Sequence, residues 1–224
     1  MTLKLVIGNK NYSSWSMRPW MAMKIAGIVF DEKVISLDDA VFKSELYKLT
    51  PAGKVPVLID GDRHIWESIA IIEYVAEKFP TAAVWPANEG ARAHARVVCA
   101  EMHAGFAPLR RHCAMNMMRP PSKRELTPEV QNDVTRIEQI WTDCRARFGE
   151  GGAFLFGAAG AADAMYAPVV SRFHTYDIAV GPEARAYMIA VMMLPAWSEW
   201  EKAARQETWV LPRGEIDWPN VLRG

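Results

Sequence analysis

Apolar residues along the first eighty positions switch between two periods. Leu3–Ile7 is a short apolar run that stops at Gly8 and predicts a buried strand. From Ser16 to Ala26, Met17, Trp20, Met21, Met23 and Ile25 fall near helical spacing, and Gly27 stands where a helix C-cap belongs. Phe30–Leu37 alternates and predicts a second strand, followed by a short amphipathic helix ending at the breaker cluster Thr50-Pro51-Ala52-Gly53. Val55–Ile59 and His64–Trp66 flank Asp60-Gly61-Asp62, a hairpin signal. Ser68–Phe79 returns to helical spacing and stops at Pro80. The predicted order over residues 1–80 is β-α-β-α-β-β-α.

After Trp85-Pro86 the strand signals disappear, so residues 81–87 read as a linker and 88–224 as an all-α unit. Asn88 is a good N-cap for a long helix running to about Met118, which Pro120-Pro121 breaks. Thr127 and Pro128 start another, with Val134, Ile137, Ile140, Trp141 and Cys144 on its apolar face. Gly149–Gly152 reads as a loop, and further helices are predicted at about 162–176, 183–194 and 196–205. The tail, with Pro212, Gly214 and Pro219, has weak periodicity.

Composition narrows the classes. Of 224 residues half are apolar, 23% are charged, and 26 Lys+Arg balance 26 Asp+Glu. That argues for a globular chain with a full core and against disorder. Neutrality leaves no electrostatic footprint for nucleic acid or an anionic membrane surface. Cys99, Cys113 and Cys144 are too few and scattered for a disulfide framework, and without a CxxC pair no zinc or other metal site is expected. The start lacks a signal-peptide pattern, and later apolar stretches are interrupted by Gly, Pro, Asp163 and Arg172. The expectation is a cytoplasmic protein.

Three clusters carry candidate chemistry. Asn11-Tyr12-Ser13-Ser14-Trp15-Ser16-Met17-Arg18 lies between the first strand and the first helix. Unsatisfied N–H groups and the macrodipole there favour an anionic oxygen or sulfur, though a serine can equally cap the helix. In Thr50–Leu58, Pro56 removes a ladder donor and marks a strand start or edge. A cis bond before it would turn the Val55 N–H and C=O toward an extended ligand; an ordinary turn proline is the alternative. Glu67-Ser68 stands at a strand-to-helix junction, where the serine and helix-start N–H groups suit a carboxylate and Glu67 suits an ammonium. A capping pair is again the plainer reading.

Taken in order, the three clusters resemble the glutathione-binding half of the glutathione transferases. They supply a hydroxyl before the first helix, Gly53-Lys54-Val55-Pro56 before the third strand, and Glu67-Ser68 at the start of the third helix. The resemblance runs on through Phe156-Gly157, Ala162-Asp163, Pro168 and Arg172, and so covers nearly the whole chain. It implies an α/β thioredoxin-like N-terminal domain followed by an all-α helical domain. Ser13-Ser14-Trp15-Ser16-Met17-Arg18 is most similar to the zeta-class motif S-S-C-x-x-R, which the maleylacetoacetate isomerases carry, with Trp15 in place of the cysteine. Lys54 stands where the family has a glutamine, and Gly160 where it has an N-capping Ser or Thr three residues before Asp163.

The resemblance implies a glutathione transferase that joins the thiolate of glutathione to small, mainly apolar electrophiles. Ser13, five residues before Arg18, is the expected thiolate donor, with Ser14 and then Ser16 as alternatives. Lys54, Val55, Pro56, Glu67 and Ser68 are expected to hold glutathione. Tyr12, Trp15, Met102, Phe106, Arg110 and Met115 are expected to line a second-substrate pocket against the helix from Asn88. The alternatives are an isomerase of the maleylacetoacetate type, peroxide reduction or dehalogenation by the same thiolate, and a non-catalytic interaction protein of this fold. A homodimer is implied, with no nucleic-acid or membrane partner. His103, His112, the cysteines and the Asp163–Arg172 combination are expected to be structural, with Asp163 capping a helix.

Overall fold

Leu3–Gly8 (β1) is a central strand of a four-stranded sheet in the computed structural model, which describes residues 2–37 and 40–216. Phe30–Ile35 (β2) lies parallel to it, with Leu3 opposite Phe30. Val57–Asp60 (β3) runs antiparallel on its other side, and Arg63–Ile65 (β4) returns beside β3 through the Asp60–Arg63 hairpin. A parallel pair needs a crossover, and the helix Ser14–Ile25 (α1) supplies it. Period two on β1 sends Leu3, Leu5 and Ile7 into the core with Met17, Trp20 and Met21 of α1 and with Ile71 and Ile72 of the helix Ser68–Lys78 (α3). Val6 faces the opposite way, against Leu46 of the helix Ala40–Leu49 (α2) and Val57 of β3. The thioredoxin-like arrangement implied by the resemblance is the one observed.

The remainder is helical, with one correction. The predicted helix from Asn88 to about Met118 is two pieces, Glu89–Ala104 (α4) and Ala107–His112 (α5), with no regular helix between Cys113 and Thr127. Gly105 ends α4 in an extended conformation and Phe106 sits at φ 57°. Pro108 has no N–H to donate, and continuing the helix would drive its ring into the Ala104 carbonyl. The sequence signal was therefore present in Gly105 and Pro108. Pro128–Phe148 (α6), Ala161–Thr175 (α7), Pro182–Met192 (α8) and Pro195–Ala204 (α9) lie within a few residues of expectation, and Pro212–Gly214 adds a 3-10 turn. The tail beyond residue 216, Pro219 included, lies outside the described residues.

Helix α7 is buried on every side, which is why its sequence shows no amphipathic stripe. It packs against α1, α4 and α8. Its start depends on Asp163, whose carboxylate accepts from Leu155 N–H at 3.1 Å and Gly160 N–H at 2.9 Å. Gly160 occupies the N-cap and contributes no side chain. A Cβ there would lie 3.1 Å from the Val84 carbonyl, so close approach of the linker, rather than backbone conformation, favours glycine.

Candidate functional site

The loop between β1 and α1 is held from the helical half of the chain. Glu207 accepts from Lys10 N–H at 2.6 Å and Asn11 N–H at 3.0 Å, and Trp200 Nε1–H donates to Lys10 O at 2.9 Å. On the other flank Met117 N–H reaches Asn11 O at 3.2 Å and Met118 N–H reaches Asn11 Oδ1 at 2.9 Å. These bonds fix where the chain enters α1. Ser13 is the N-cap by position, but its hydroxyl makes no capping bond. It is hydrogen-bonded instead to the Ser16 hydroxyl, 2.8 Å away, and Ser16 Oγ accepts from Gly8 N–H at 3.0 Å. The ordinary capping role allowed by the sequence is not the one Ser13 plays.

This helix start opens on a cavity of about 1070 Å³. Of the residues singled out from the sequence, Tyr12, Ser13, Ser14, Trp15, Lys54, Val55, Arg110 and Met115 line it together. Val55 lies two positions before the first residue of β3, and the Val55–Pro56 bond is cis, as is Trp66–Glu67. Pro56, Glu67 and Ser68 do not border this space. Glu67 is the N-cap of α3, and the pair faces His103 of α4: Ser68 Oγ is 3.5 Å from His103 Nδ1, and Glu67 Oε2 is 4.0 Å from Nε2. The His103 ring meets the edge of Trp15 at 5.1 Å, so Trp15 stands between the two groups of residues. Met102 and Phe106 are not on the cavity wall. They are core residues, because α4 ends at Ala104 and the turn at Phe106 hands the wall over to α5.

Several wall residues escaped the sequence reading. Lys43 and Tyr47 of α2, Arg172 of α7 and Arg213 of the tail also line the cavity. With Lys54, Arg110 and Arg111 the wall carries six cationic side chains and, among the described residues, no carboxylate. In a chain of zero net charge that is a local concentration of one sign. Arg172 does not pair with Asp163; its guanidinium donates to the carbonyls of Cys113 and Arg110. Only the tertiary path of α7 brings it to the wall, and no local pattern marks it.

Behind Trp15 lies another buried guanidinium. Arg18 is 1% exposed, and its Nε and Nη1 have no hydrogen-bond partner among the described residues. Burial, and then the charges of Arg110 and Arg172, push its pKa down to about 9. Trp15 lies between Arg18 and Arg110, whose guanidinium carbons are 4.1 and 5.2 Å from its ring. Burial, followed by the charge of Arg18, lowers the His103 pKa and favours the neutral imidazole. The tail closes one side: Tyr12 donates to Glu215, and Asn116 Nδ2 reaches Glu215 at 3.2 Å. Cys99, Cys113 and Cys144 are buried, and burial pushes the Cys144 thiol up to about 12, which suits packing and not nucleophilic work.

Residues 12–78 match the family described as the glutathione S-transferase N-terminal domain. A probable maleylacetoacetate isomerase of Caenorhabditis elegans is 35% identical over 97 residues, covering 43% of this chain and 45% of that one. A zeta-class glutathione S-transferase of Euphorbia esula is 28% identical over 145 residues, 62% of this chain and 64% of the relative. The chain thus spans between about half and two thirds of the length of these curated relatives. Among solved structures, a glutathione transferase homolog of Burkholderia with bound glutathione superposes with TM-score 0.67 at 24% identity, over 92% of this chain and 98% of its own, a likeness of fold. Among the described residues no helix is long and apolar enough to cross a membrane.

Proposed function

We propose that this chain, whose residues 12–78 match the glutathione S-transferase N-terminal domain and which is similar to zeta-class relatives, is a glutathione transferase that binds glutathione and transfers the tripeptide's thiolate to small electrophiles. The observation that carries the proposal is Ser13, a hydroxyl at the positive end of α1 that does not cap the helix and opens on the cavity. The donor set suits a tripeptide thiol. Ser13 meets the sulfur, Val55 pairs with an extended backbone, Lys54 meets a carboxylate, and Glu67 with Ser68 takes the zwitterionic γ-glutamyl end. Glutathione supplies the nucleophile; this chain supplies its surroundings.

A free thiol of pKa about 8.5 is mostly protonated at neutral pH. A hydrogen bond to a charged acceptor is worth roughly 1.5–3 kcal/mol, and each pKa unit about 1.4 kcal/mol. Ser13 together with the α1 N-terminus therefore lowers the bound thiol by roughly one to two units. Ser13 holds the ionised sulfur facing the cavity, where one C–S bond forms while the electrophile's leaving group departs or its π pair moves to the neighbouring atom. Retention on glutathione resin and an absorbance titration of the bound thiolate test binding and activation separately. Glu67→Gln is expected to weaken glutathione binding by up to about fivefold, the worth of a half-exposed ion pair. Unchanged affinity in calorimetry removes Glu67 from the site. The same proposal includes a homodimer, read by light scattering.

The cationic wall favours a second reading, an isomerase of the maleylacetoacetate type or a transferase whose electrophile carries a carboxylate. Trp15 leaves no protein thiol in the motif, so either activity uses the bound sulfur: an isomerase adds it to a double bond and releases it after rotation, whereas a transferase keeps the new C–S bond as the leaving group departs or the π pair moves to the neighbouring atom. Arg110→Met is expected to lower kcat/KM about tenfold or more for carboxylate-bearing electrophiles, through loss of a charged hydrogen bond. A neutral aryl halide is expected to react at the parent rate. Equal losses on both substrates contradict this reading.

A further inference from the structure

We propose that Ser16 is a positioning residue that aims the Ser13 proton into the cavity, through a chain of donors running from Gly8 N–H to Ser16 to Ser13. The inference rests on Ser13 being the thiolate donor. Ser16 is fully buried at the third position of α1, and its Oγ has two partners among the described residues: Gly8 N–H at 3.0 Å and Ser13 Oγ at 2.8 Å. A hydroxyl offers one proton and two lone pairs. One lone pair of Ser16 is taken by Gly8. If Ser13 donated to the other, Ser16 would accept twice and its own proton would be buried without an acceptor, the arrangement that folded interiors avoid. If Ser16 donates to Ser13, the Ser16 proton and the Gly8 N–H both have an acceptor. The Ser13 proton is then turned away from the protein interior, toward the cavity that Ser13 lines.

Two consequences follow for the sulfur. The Ser13 proton is oriented before any ligand arrives, so no rotamer search is needed when a thiolate binds. A hydroxyl that already accepts a hydrogen bond is also a better donor, because successive bonds polarise one another. The chain begins at a backbone N–H at the end of β1, the most rigid kind of anchor available, and not at a titratable group. Ser14, the neighbour in the motif, has no place in it. This assigns different duties to Ser13 and Ser16 and none in the chain to Ser14, a distinction that local sequence could not draw.

The test is absorbance titration of the bound glutathione thiolate, each variant referenced to its ligand-free form. Ser13→Ala is expected to raise the thiol pKa by about one to two units, and Ser16→Ala by roughly half a unit to one unit. Ser16→Thr, which keeps the hydroxyl, is expected to titrate like the parent, and the Ser13→Ala/Ser16→Ala pair like Ser13→Ala alone. Ser16→Cys, nearly isosteric but a weak donor, is expected to follow Ser16→Ala and serves if the alanine variant does not fold. Parent-like titration of the Ser16→Ala or Ser16→Cys protein, alongside a shifted Ser13→Ala, overturns the donor chain and leaves Ser13 standing. Additive shifts in the double variant also overturn it. An unshifted Ser13→Ala removes Ser13 as donor, and the chain with it.

Discussion

Replacing Ser13 with alanine is expected to lower kcat/KM near neutral pH by about ten- to a hundredfold, the rate equivalent of one hydrogen bond to a charged acceptor. The loss is expected to be pH-dependent in a particular direction. With the thiol pKa raised, less of it is ionised at pH 7, and the rate recovers as pH climbs past the new value, so the pH–rate profile moves to the right. Stability is expected to fall by about 1–3 kcal/mol as well, because Ser13 makes no capping bond but its loss leaves the buried Ser16 hydroxyl without its partner. Ser14→Ala is the control: Ser14 lines the same cavity without a hydrogen bond to Ser16. A Ser13→Ala protein with the parent pH–rate profile, while Ser14→Ala shifts it, moves the catalytic role one residue along. If neither substitution shifts the profile, activation by a serine hydroxyl is wrong.

The second large effect is on the fold. Asp163→Ala is expected to destabilise the protein by about 2–4 kcal/mol, since it leaves Leu155 N–H and Gly160 N–H without their acceptor at the start of a helix buried on all sides. Gly160 has no side chain with which to compensate. The same carboxylate carries a pH signature. Burial raises its pKa from the ordinary 3.8 to about 6, against the opposing pull of its backbone hydrogen bonds. Between those values the folded protein keeps a proton that the unfolded chain releases. The contribution is therefore fully present below pH 4 and is lost as pH rises through about 6, a fall of about 3 kcal/mol at 1.36 kcal/mol per unit. Asp163→Asn cannot titrate, so the stability difference between parent and Asp163→Asn, from urea unfolding at several pH values, is expected to shift against the parent across pH 4–7. A flat difference, or one that grows in the parent's favour, contradicts this account.

Both predictions turn on residues whose position was legible but whose partners were not. Ser13 and Asp163 stand out in the sequence because each occupies a helix start, and capping chemistry restricts the residues found there. Capping is nonetheless the role of Asp163 and not of Ser13. The difference is made by Ser16 and Gly8, eight positions apart in sequence and joined only when β1 and α1 pack together. The supposed long helix shows the opposite fault. Its break was written locally in Gly105 and Pro108, and helical periodicity hid it, with the consequence that Met102 and Phe106 were placed on a wall that belongs to α5.

Local sequence is enough for the order β-α-β-α-β-β-α, the hairpin at Asp60–Asp62, the helical second half and the three clusters of candidate ligands, because each depends on a local period, a cap or a breaker. Which clusters share a cavity depends on how the elements pack. That packing gathers Lys43, Lys54, Arg110, Arg111, Arg172 and Arg213 from five separate stretches onto one wall, and it leaves Arg18 buried beside Trp15 with no acidic partner among the described residues. Charge balance over a whole chain says nothing about where the charges meet. Their sign at a site is set by long-range packing, on which local sequence has no hold.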